Sequence, residues 1–458
     1  MTTSTTPTVP GLRFSGDYSI EKLVILTASG AIDLKNMMVE LSYNEDIFSN
    51  TINGYLMIAD SMGYIELLNM LGNEFMRVSF KKAEDWRIID KIVRVYKVDK
   101  RRLENNMNTE TYSLYFCSEE AILNEQYKIC KAYPGKTISD NIYSILTSSF
   151  PNGLGVDTQN IAQIEPTYGK YDFVVPTIKP FDAINWMASY ARPTPDKPGA
   201  DMLFFENADG FFFRSLQSMM ADAPYANFAY NPKNTNRSDL NLQMFNVLTY
   251  EILNSYDKLG ETIKGTFANQ LISVDILTRQ TKVTPFDYAD YFNNATNMNK
   301  FPLANQFQNR FGHQVNQPSR GVQKLVFSNF SQKTSQYVDA IDTSSVANDI
   351  YAETYIPYRT AQLSLVNAIR LKISVPGDTT LRVGTTIMFS LNSLNPTQKE
   401  LDKFYSGKYL ITAVRHLINT SEYRTILEIS KESVSADYAN PDNSASIWKN
   451  TVAGKTIV

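Results

Sequence analysis

Two histidines, His313 and His416, and two cysteines, Cys117 and Cys130, are all this 458-residue chain has for imidazole or thiol chemistry. A serine or cysteine nucleophile needs a base held beside it, and a structural zinc needs four nitrogen or sulfur ligands. His313 lies in an Asn- and Gln-rich run and His416 ends YLITAVRH, so both read as polar or surface side chains. The cysteines read as buried reduced thiols, too few for a disulfide framework or a metal cluster. Carboxylates are plentiful, 47 Asp and Glu in all, and a glycosidase needs only two of them. None sits in a recognisable setting. The phosphate loop GxxxxGK followed by Ser or Thr, the GxSxG elbow, HExxH and CxxC do not occur. The sequence implies no catalytic residue, no cofactor and no metal.

One charge run and one aromatic remain as candidates for binding. KKAEDWRIIDKIVRVYKVDKRR, residues 81 to 102, holds nine Lys or Arg. Arg87, Lys91, Arg94 and Lys97 do not keep one alternating register. The run reads either as the solvated face of a hairpin or as a strand pair that docks on an acidic neighbour, with Arg94 and Lys97 as contacts. Trp448 stands in the polar tail SADYANPDNSASIWKNTVAGKTIV. That tail reads either as a frayed terminus or as an arm whose Trp fills a partner's pocket. Net charge is −3, and no recognition element for reading DNA is evident.

The elements around these residues are mostly strands. Apolar residues are 43% of the chain and aromatics 12%, enough for about two to four packed domains. The start MTTSTTPTVPG lacks the basic and apolar regions of a secretory signal. No apolar run approaches the roughly 20 residues that span a bilayer. The expectation is therefore a chain made in a cytoplasm that does not insert into membranes by its own sequence. Strands are expected at 22–28, 37–43, 52–59 and 75–80, with a hairpin over 86–98 and 111–117. Helices follow: KTISDNIYSILTSSF, capped by Thr137 with Asp140 three residues on, and PFDAINWMASYA, opened by Pro180. MLFFENADGFFFRSL reads as a hairpin turning at Asp209-Gly210. Strands resume at 246–254 and 262–276. Residues 289 to 335 form a long polar loop or a small irregular subdomain, 358–369 a helix, and 370–375, 381–391, 408–415 and 423–430 further strands. In RLKISVPGDTT, Leu371, Ile373 and Val375 alternate with polar residues, and Pro376-Gly377-Asp378 turns the chain.

TING, Thr51 to Gly54, is echoed by TIKG, Thr262 to Gly265. The same offset pairs Glu40 with Glu251, Leu41 with Ile252 and Asp46 with Asp257. Taken at face value, one sheet unit occurs twice. Three copies of a chain with two similar units present six units around a ring.

Three stretches in order carry a family resemblance. VPGLRFSG, DIFSNTINGYLMIADS and GNEFMRVSF resemble the first barrel of contractile-tail baseplate hub proteins. TIKPFDAINWMASYA followed by MLFFENADGFFFRSL is similar to the family's middle domain. YRTAQLSLVNAIRLKISVPGDTTLRVGTTIMF and GKYLITAVRHLINTSEYRTILEISKESV resemble its second barrel. The resemblance spans residues 11 to 434 and rests on the order of the motifs. It implies a mainly β fold with an α+β insertion: two similar antiparallel tube-type β-barrels plus smaller inserted domains. The expected boundaries are 11–118 for the first barrel, completed by part of 225–245, and 119–224 for the α+β insertion. The second barrel takes 246–288 and 358–434, interrupted by an insertion over 289–357, and 435–458 is the tail.

The resemblance further implies a non-enzymatic homotrimer at the centre of a virion's tail baseplate, assembled in the host cytoplasm. It would form a pseudo-hexameric ring between the tail tube, or its initiator, and the central spike. Baseplate wedge proteins would surround it, and genomic DNA would pass through its bore. The related hub of type VI secretion is fused to its spike. Only a short tail follows residue 434 here, which implies a separate spike. A cell-wall hydrolase, a glycan-binding attachment protein and the hub of a DNA-free injection device are the alternatives.

Overall fold

A computed structural model of the chain describes residues 16–436, apart from 28–29, 68–71, 73, 84–85, 104–108, 194–198, 231–242, 256, 276–278, 280, 304–317, 327–351 and 394–399. The first sheet unit contains β1 (Tyr18–Thr27), β2 (Gly30–Asp33), β3 (Met38–Asp46), β4 (Asn53–Asp60), β5 (Phe75–Lys82), β6 (Ile88–Leu103) and β7 (Glu110–Cys117). They pair antiparallel in the order β3-β4-β7-β6-β5-β1-β2. In β4, Gly54, Leu56, Ile58 and Asp60 are buried and the residues between them are less so, the period of two that puts one face on a core. Leu56 and Ile58 pack there with Tyr43, Phe80, Val95 and Phe116.

Next comes the α+β insertion, with β8 (Ile129–Lys136), β9 (Ile161–Ile164), β10 (Tyr171–Ile178), β11 (Met202–Asn207) and β12 (Gly210–Ser215). Its helix Ile138–Thr147 starts where the sequence implies. Thr137 Oγ1 accepts the Asp140 N–H at 3.2 Å, satisfying one of the helix's first donors. Ile138, Ile142 and Ile145 pack against Phe181, Ile184 and Met187 of the helix Pro180–Ala188. The β11–β12 hairpin pairs Asn207 with Gly210. Its two turn residues are therefore Ala208 and Asp209, and Gly210 opens β12.

The remaining strands are β13 (Asn227–Tyr230), β14 (Thr249–Asn254), β15 (Ala268–Asp275), β16 (Thr281–Asp287), β17 (Phe301–Pro302), β18 (Arg320–Val326), β19 (Ile369–Pro376), β20 (Thr386–Leu391), β21 (Gly407–Asn419), β22 (Tyr423–Lys431) and β23 (Ser433–Val434). Six of them form a second unit in the order β13-β20-β21-β22-β19-β14. Its core holds Leu371, Ile373, Phe389, Tyr409, Ile411 and Leu427.

The two units share one topology. The first, leaving β2 aside, runs β1-β5-β6-β7-β4-β3, and the second repeats that order strand for strand. The likeness extends to single residues. Val95 N donates to Glu74 O at 2.9 Å, and Ile411 N to Thr385 O at 2.9 Å. One residue on, Tyr96 and Thr412 each form a bulge against the following strand. The first pairing differs: β1 meets β5 antiparallel, whereas β13 meets β20 parallel. The units are joined by an antiparallel pairing of β3 with Ala413–Asn419 of β21, giving one 13-stranded sheet among the described residues.

Four expectations need correction. The described residues of 225–245 do not complete the first unit; their strand β13 pairs with β20 of the second. TIKG is not a strand start. Asp257 caps the helix Lys258–Lys264 by accepting the Gly260 N–H at 2.9 Å, and Gly265 closes it with a left-handed φ of 82°. The strand that occupies the place of β4 is β19, so the echo aligned a strand with a helix end. Third, β15 and β16, expected in the second barrel, pair with β18 in a separate three-stranded sheet. The departure from the second unit thus begins after Asn254, between β14 and β19, where the first unit has only the short link from β3 to β4. Fourth, the polar run 289–335, expected as a loop or a small irregular subdomain, contains regular elements: Tyr288–Asn294 is helical, and β17 and β18 lie within it.

Candidate assembly surfaces and a buried carboxylate cluster

The predicted contacts Arg94 and Lys97 lie on β6, on either side of the Tyr96 bulge. Arg94 Nη1 is 3.2 Å from Glu119 Oε1, and its guanidinium lies 4.3 Å from the centre of the Phe75 ring. It therefore ties β6 to the insertion's first helix. Lys97 Nζ is 2.6 Å from Asp99 and 5.4 Å from the Tyr115 ring, and its side chain is half exposed. Its hydrogen bond to Asp99 raises its pKa. Trp448 and His313 lie outside the described residues.

Much of the basic run is neutralised inside the chain. Lys81 pairs with Glu21 at 3.1 Å, Lys91 with Glu206 at 3.2 Å and Arg101 with Glu110 at 2.7 Å, while Asp90 within the run holds Arg77 at 2.7 Å. Exposed pairs of this kind contribute little to stability, but they remove the appearance of a cationic docking strip.

The Lys91–Glu206 pair is the exception, because it is buried. Glu206 is the penultimate residue of β11, and its Oε1 accepts from Lys91. Its Oε2 accepts the Ile52 N–H at 3.2 Å and a short hydrogen bond from the Ser118 hydroxyl. One carboxylate thus joins the insertion to β6, to the β3–β4 link and to the start of the helix Glu119–Gln126. Beside it is a cavity of ≈ 230 Å³ lined by Arg77, Asp90, Lys91, Ser118, Glu120 and Glu206, among others. Burial, and then the neighbouring Glu206 charge, push the Glu120 carboxyl up to about 7. A carboxyl raised this far can act as a general acid. Glu206 is held by three donors, as a structural acceptor would be. No sequence signal marked this cluster, because its members come from positions 52, 91, 118, 120 and 206.

The joint between the units is also polar and buried. Glu45 accepts the Ala208 N–H at 2.8 Å and the Val383 N–H at 3.2 Å, and burial raises its pKa. Arg415 donates to Ser42 Oγ and to the Tyr55 hydroxyl, both at 2.9 Å, and Tyr55 donates a short bond to Glu40. His416, read as a polar or surface side chain, is fully buried. Its Nδ1 is 2.7 Å from the Tyr423 hydroxyl, and desolvation holds its pKa well below the usual imidazole value. It is a neutral core residue, since β22 and β3 cover its strand on both sides. Cys130 is exposed rather than buried, and Cys117 is half-buried with its thiol pushed up to about 11 by burial. Among the described residues no group of three or more His, Cys, Asp or Glu is placed to hold a metal ion, and no helix is long and apolar enough to cross a membrane.

No protein-family model matches the chain. It is 21% identical to the probable baseplate hub protein gp334 of Vibrio phage KVP40 over 429 residues, which cover 91% of this chain and 95% of that protein. Among solved structures, the tail protein from Neisseria meningitidis MC58 has a similar fold. The TM-score is 0.52 at 10% identity, covering 91% of this chain and 97% of that one. The 43 kDa tail protein of prophage MuSo2 from Shewanella oneidensis reaches a TM-score of 0.49 at 8% identity, covering 90% of this chain and 100% of that one. In sequence over nearly its whole length, and in fold, the chain resembles phage tail proteins of the baseplate-hub type, as the order of its motifs implied.

Proposed function

We propose that this chain is the structural hub of a contractile phage tail baseplate. Three copies form a ring of six similar sheet units. One face of the ring meets the six-fold tail tube or its initiator, the other meets a three-fold central spike, and wedge proteins surround it. The bore is left open for genomic DNA, with a polar or acidic lining that does not hold phosphates. The observation that carries this reading is the repeated strand order, β1-β5-β6-β7-β4-β3 and β13-β20-β21-β22-β19-β14. A chain with two like units is what a match between three-fold and six-fold symmetry requires. Immunogold labelling of purified particles is the test: label at the distal end of the tail is expected, and label on the head or absent from particles would overturn the reading.

A second reading is favoured by the cavity beside Glu120 and Glu206, where a raised carboxyl adjoins the Lys91-paired Glu206. A cell-wall hydrolase built on that pair would give a lysis band in a peptidoglycan zymogram. The hub reading expects none from the pure chain, and expects none from Glu120→Gln either. Whether the particle carries DNA or is a DNA-free injection device is decided by its nucleic-acid content.

A further inference from the structure

Among the described residues the chain contains one completed joint between sheet units and the two unfilled halves of a second. In the completed joint, β21 uses one edge twice. Residues Gly407–Leu410 pair with β20, the strand bulges at Thr412, and Ala413–Asn419 pair with β3. The counterpart of β21 is β6, which follows the same plan as far as a second bulge between Asp99 and Arg102 that β21 lacks. Ile88–Arg94 pair with β5, the strand bulges at Tyr96, and the stretch from Lys97 to Leu103 pairs with β7 alone among the described residues. The counterpart of β3 is β14, which pairs with β19 alone among the described residues. The first unit therefore presents the acceptor half of a joint, and the second unit presents the donor half.

The equivalences fix a register. Arg102 lies opposite Thr111 as Leu417 lies opposite Arg424, counting along β7 and β22 from their matched bulge partners. Ser42 lies opposite Tyr55, itself opposite Tyr115; Glu251 lies opposite Lys372, itself opposite Glu428. Tyr115 and Glu428 are matched positions, so Ser42 corresponds to Glu251. The completed joint pairs Ser42 with Leu417 and Leu41 with Ile418. Transferred to the unfilled halves, that pairing sets Glu251 opposite Arg102 and Tyr250 opposite Leu103.

The surface chemistry fits this docking. Leu103 is 70% exposed and Ile252 40%, apolar groups on strand edges that isolated chains leave open to mispairing. At the β6 end Lys97 and Arg101 already pair with Asp99 and Glu110, and Glu261 pairs with Lys264 in the helix after β14, so the charge match across the joint is Arg102 with Glu251. Opposite charges facing across a strand pair favour that register.

We propose that a second copy of this chain lays its β14 antiparallel against Lys97–Leu103 of β6, with Glu251 opposite Arg102, and that this head-to-tail contact closes the ring. The number of copies rests on the hub reading above; the contact itself rests on the internal repeat. A heterologous contact of this kind closes only when its rotation divides the circle. The internal β3–β21 joint supplies the same step within each chain.

The test uses the full chain with Cys117→Ser and Cys130→Ser, adding Arg102→Cys and Glu251→Cys singly and together. Directly opposed strand residues have Cα atoms about 4.5–5.5 Å apart, within disulfide reach. Ser42→Cys with Leu417→Cys is the control across the existing joint and cross-links within one chain. Mild oxidation of the Arg102/Glu251 double variant is expected to link chains into species ending at three, while the single variants stay uncross-linked. In parallel, Glu251→Arg should raise the assembly concentration at least tenfold, and adding Arg102→Glu should restore it. Cross-links in species of another size keep the contact and remove the threefold ring. A threefold mass in solution with no cross-link and no effect of Glu251→Arg removes the contact and keeps the ring. A monomer at every concentration, with the control pair cross-linked, removes both.

Discussion

Replacing Glu206 with alanine should loosen the insertion from the first sheet unit. The carboxylate accepts from Lys91, from the Ile52 N–H and from Ser118. The Lys91 side chain is only 14% exposed and that of Glu206 5%, so truncation leaves a largely buried ammonium without its counter-ion. Breaking such a pair costs about 3–5 kcal/mol, and each orphaned buried donor about 1–3 kcal/mol. These losses overlap, because water can reach the donors through the adjoining cavity of ≈ 230 Å³. Removing the Glu206 charge also relieves Glu120, whose pKa it raises. The net expectation is a loss of about 3 kcal/mol, read from urea unfolding by circular dichroism with an unchanged slope. Glu206→Gln keeps an acceptor for Ile52 and should lose less. A double-mutant cycle with Lys91→Met should return a coupling of about 1–3 kcal/mol. A loss below about 1 kcal/mol for Glu206→Ala, with no coupling to Lys91, would refute the view that this carboxylate is a structural acceptor.

Other outcomes follow from close packing and buried charge. A Cβ on Gly54 would lie 2.2 Å from Ser42 O and 2.4 Å from Phe116 Cζ. Gly54→Ala should therefore cost about 2–3 kcal/mol by forcing β3 and β7 apart, measurable as a lowered unfolding midpoint. A Cβ on Gly377 would lie 2.0 Å from Tyr423 Cδ1, so Gly377→Ala should unfold at a lower temperature, whereas alanine at Gly321, where the nearest neighbouring atom would be 3.5 Å away, should not clash. Burial raises the pKa of Glu120 to about 7 and of Asp201 to about 6. Their folded values exceed the unfolded ones, so their contribution is complete below about pH 4 and is lost as pH rises through 6 to 7. Stability should fall by several kcal/mol between about pH 4 and pH 7, and Glu120→Gln with Asp201→Asn should flatten the fall. Asp90, whose pKa is lowered by Arg77, acts at more acid pH and in the opposite sense.

What was readable in the sequence was local. Thr137 caps its helix, Pro180 opens another, and the alternation of Leu371, Ile373 and Val375 is the buried face of β19. Each depends on residues within a few positions. Pairings at long range were not readable. Four residues of β13 lie parallel to β20, more than 150 positions away, and nothing in NFAY distinguishes one sheet from another. The echo between TING and TIKG misled because a capped helix end and a strand start can share the same small polar residues. The repeat is real in topology, yet its second copy is split by the material between β14 and β19. Arg94 and Lys97 were singled out for charge, but charge does not reveal that Arg94 already faces Glu119. His416 became a core residue only through the β3–β21 joint, which brings positions 43 and 416 together.

A reconstruction of the assembled particle at side-chain resolution bears most directly on the central claim. The account predicts three copies of this chain about the tail axis, their six sheet units spaced evenly around an open bore between tube and spike. Six copies in the ring, or units of one chain that take unrelated positions about the axis, would contradict it.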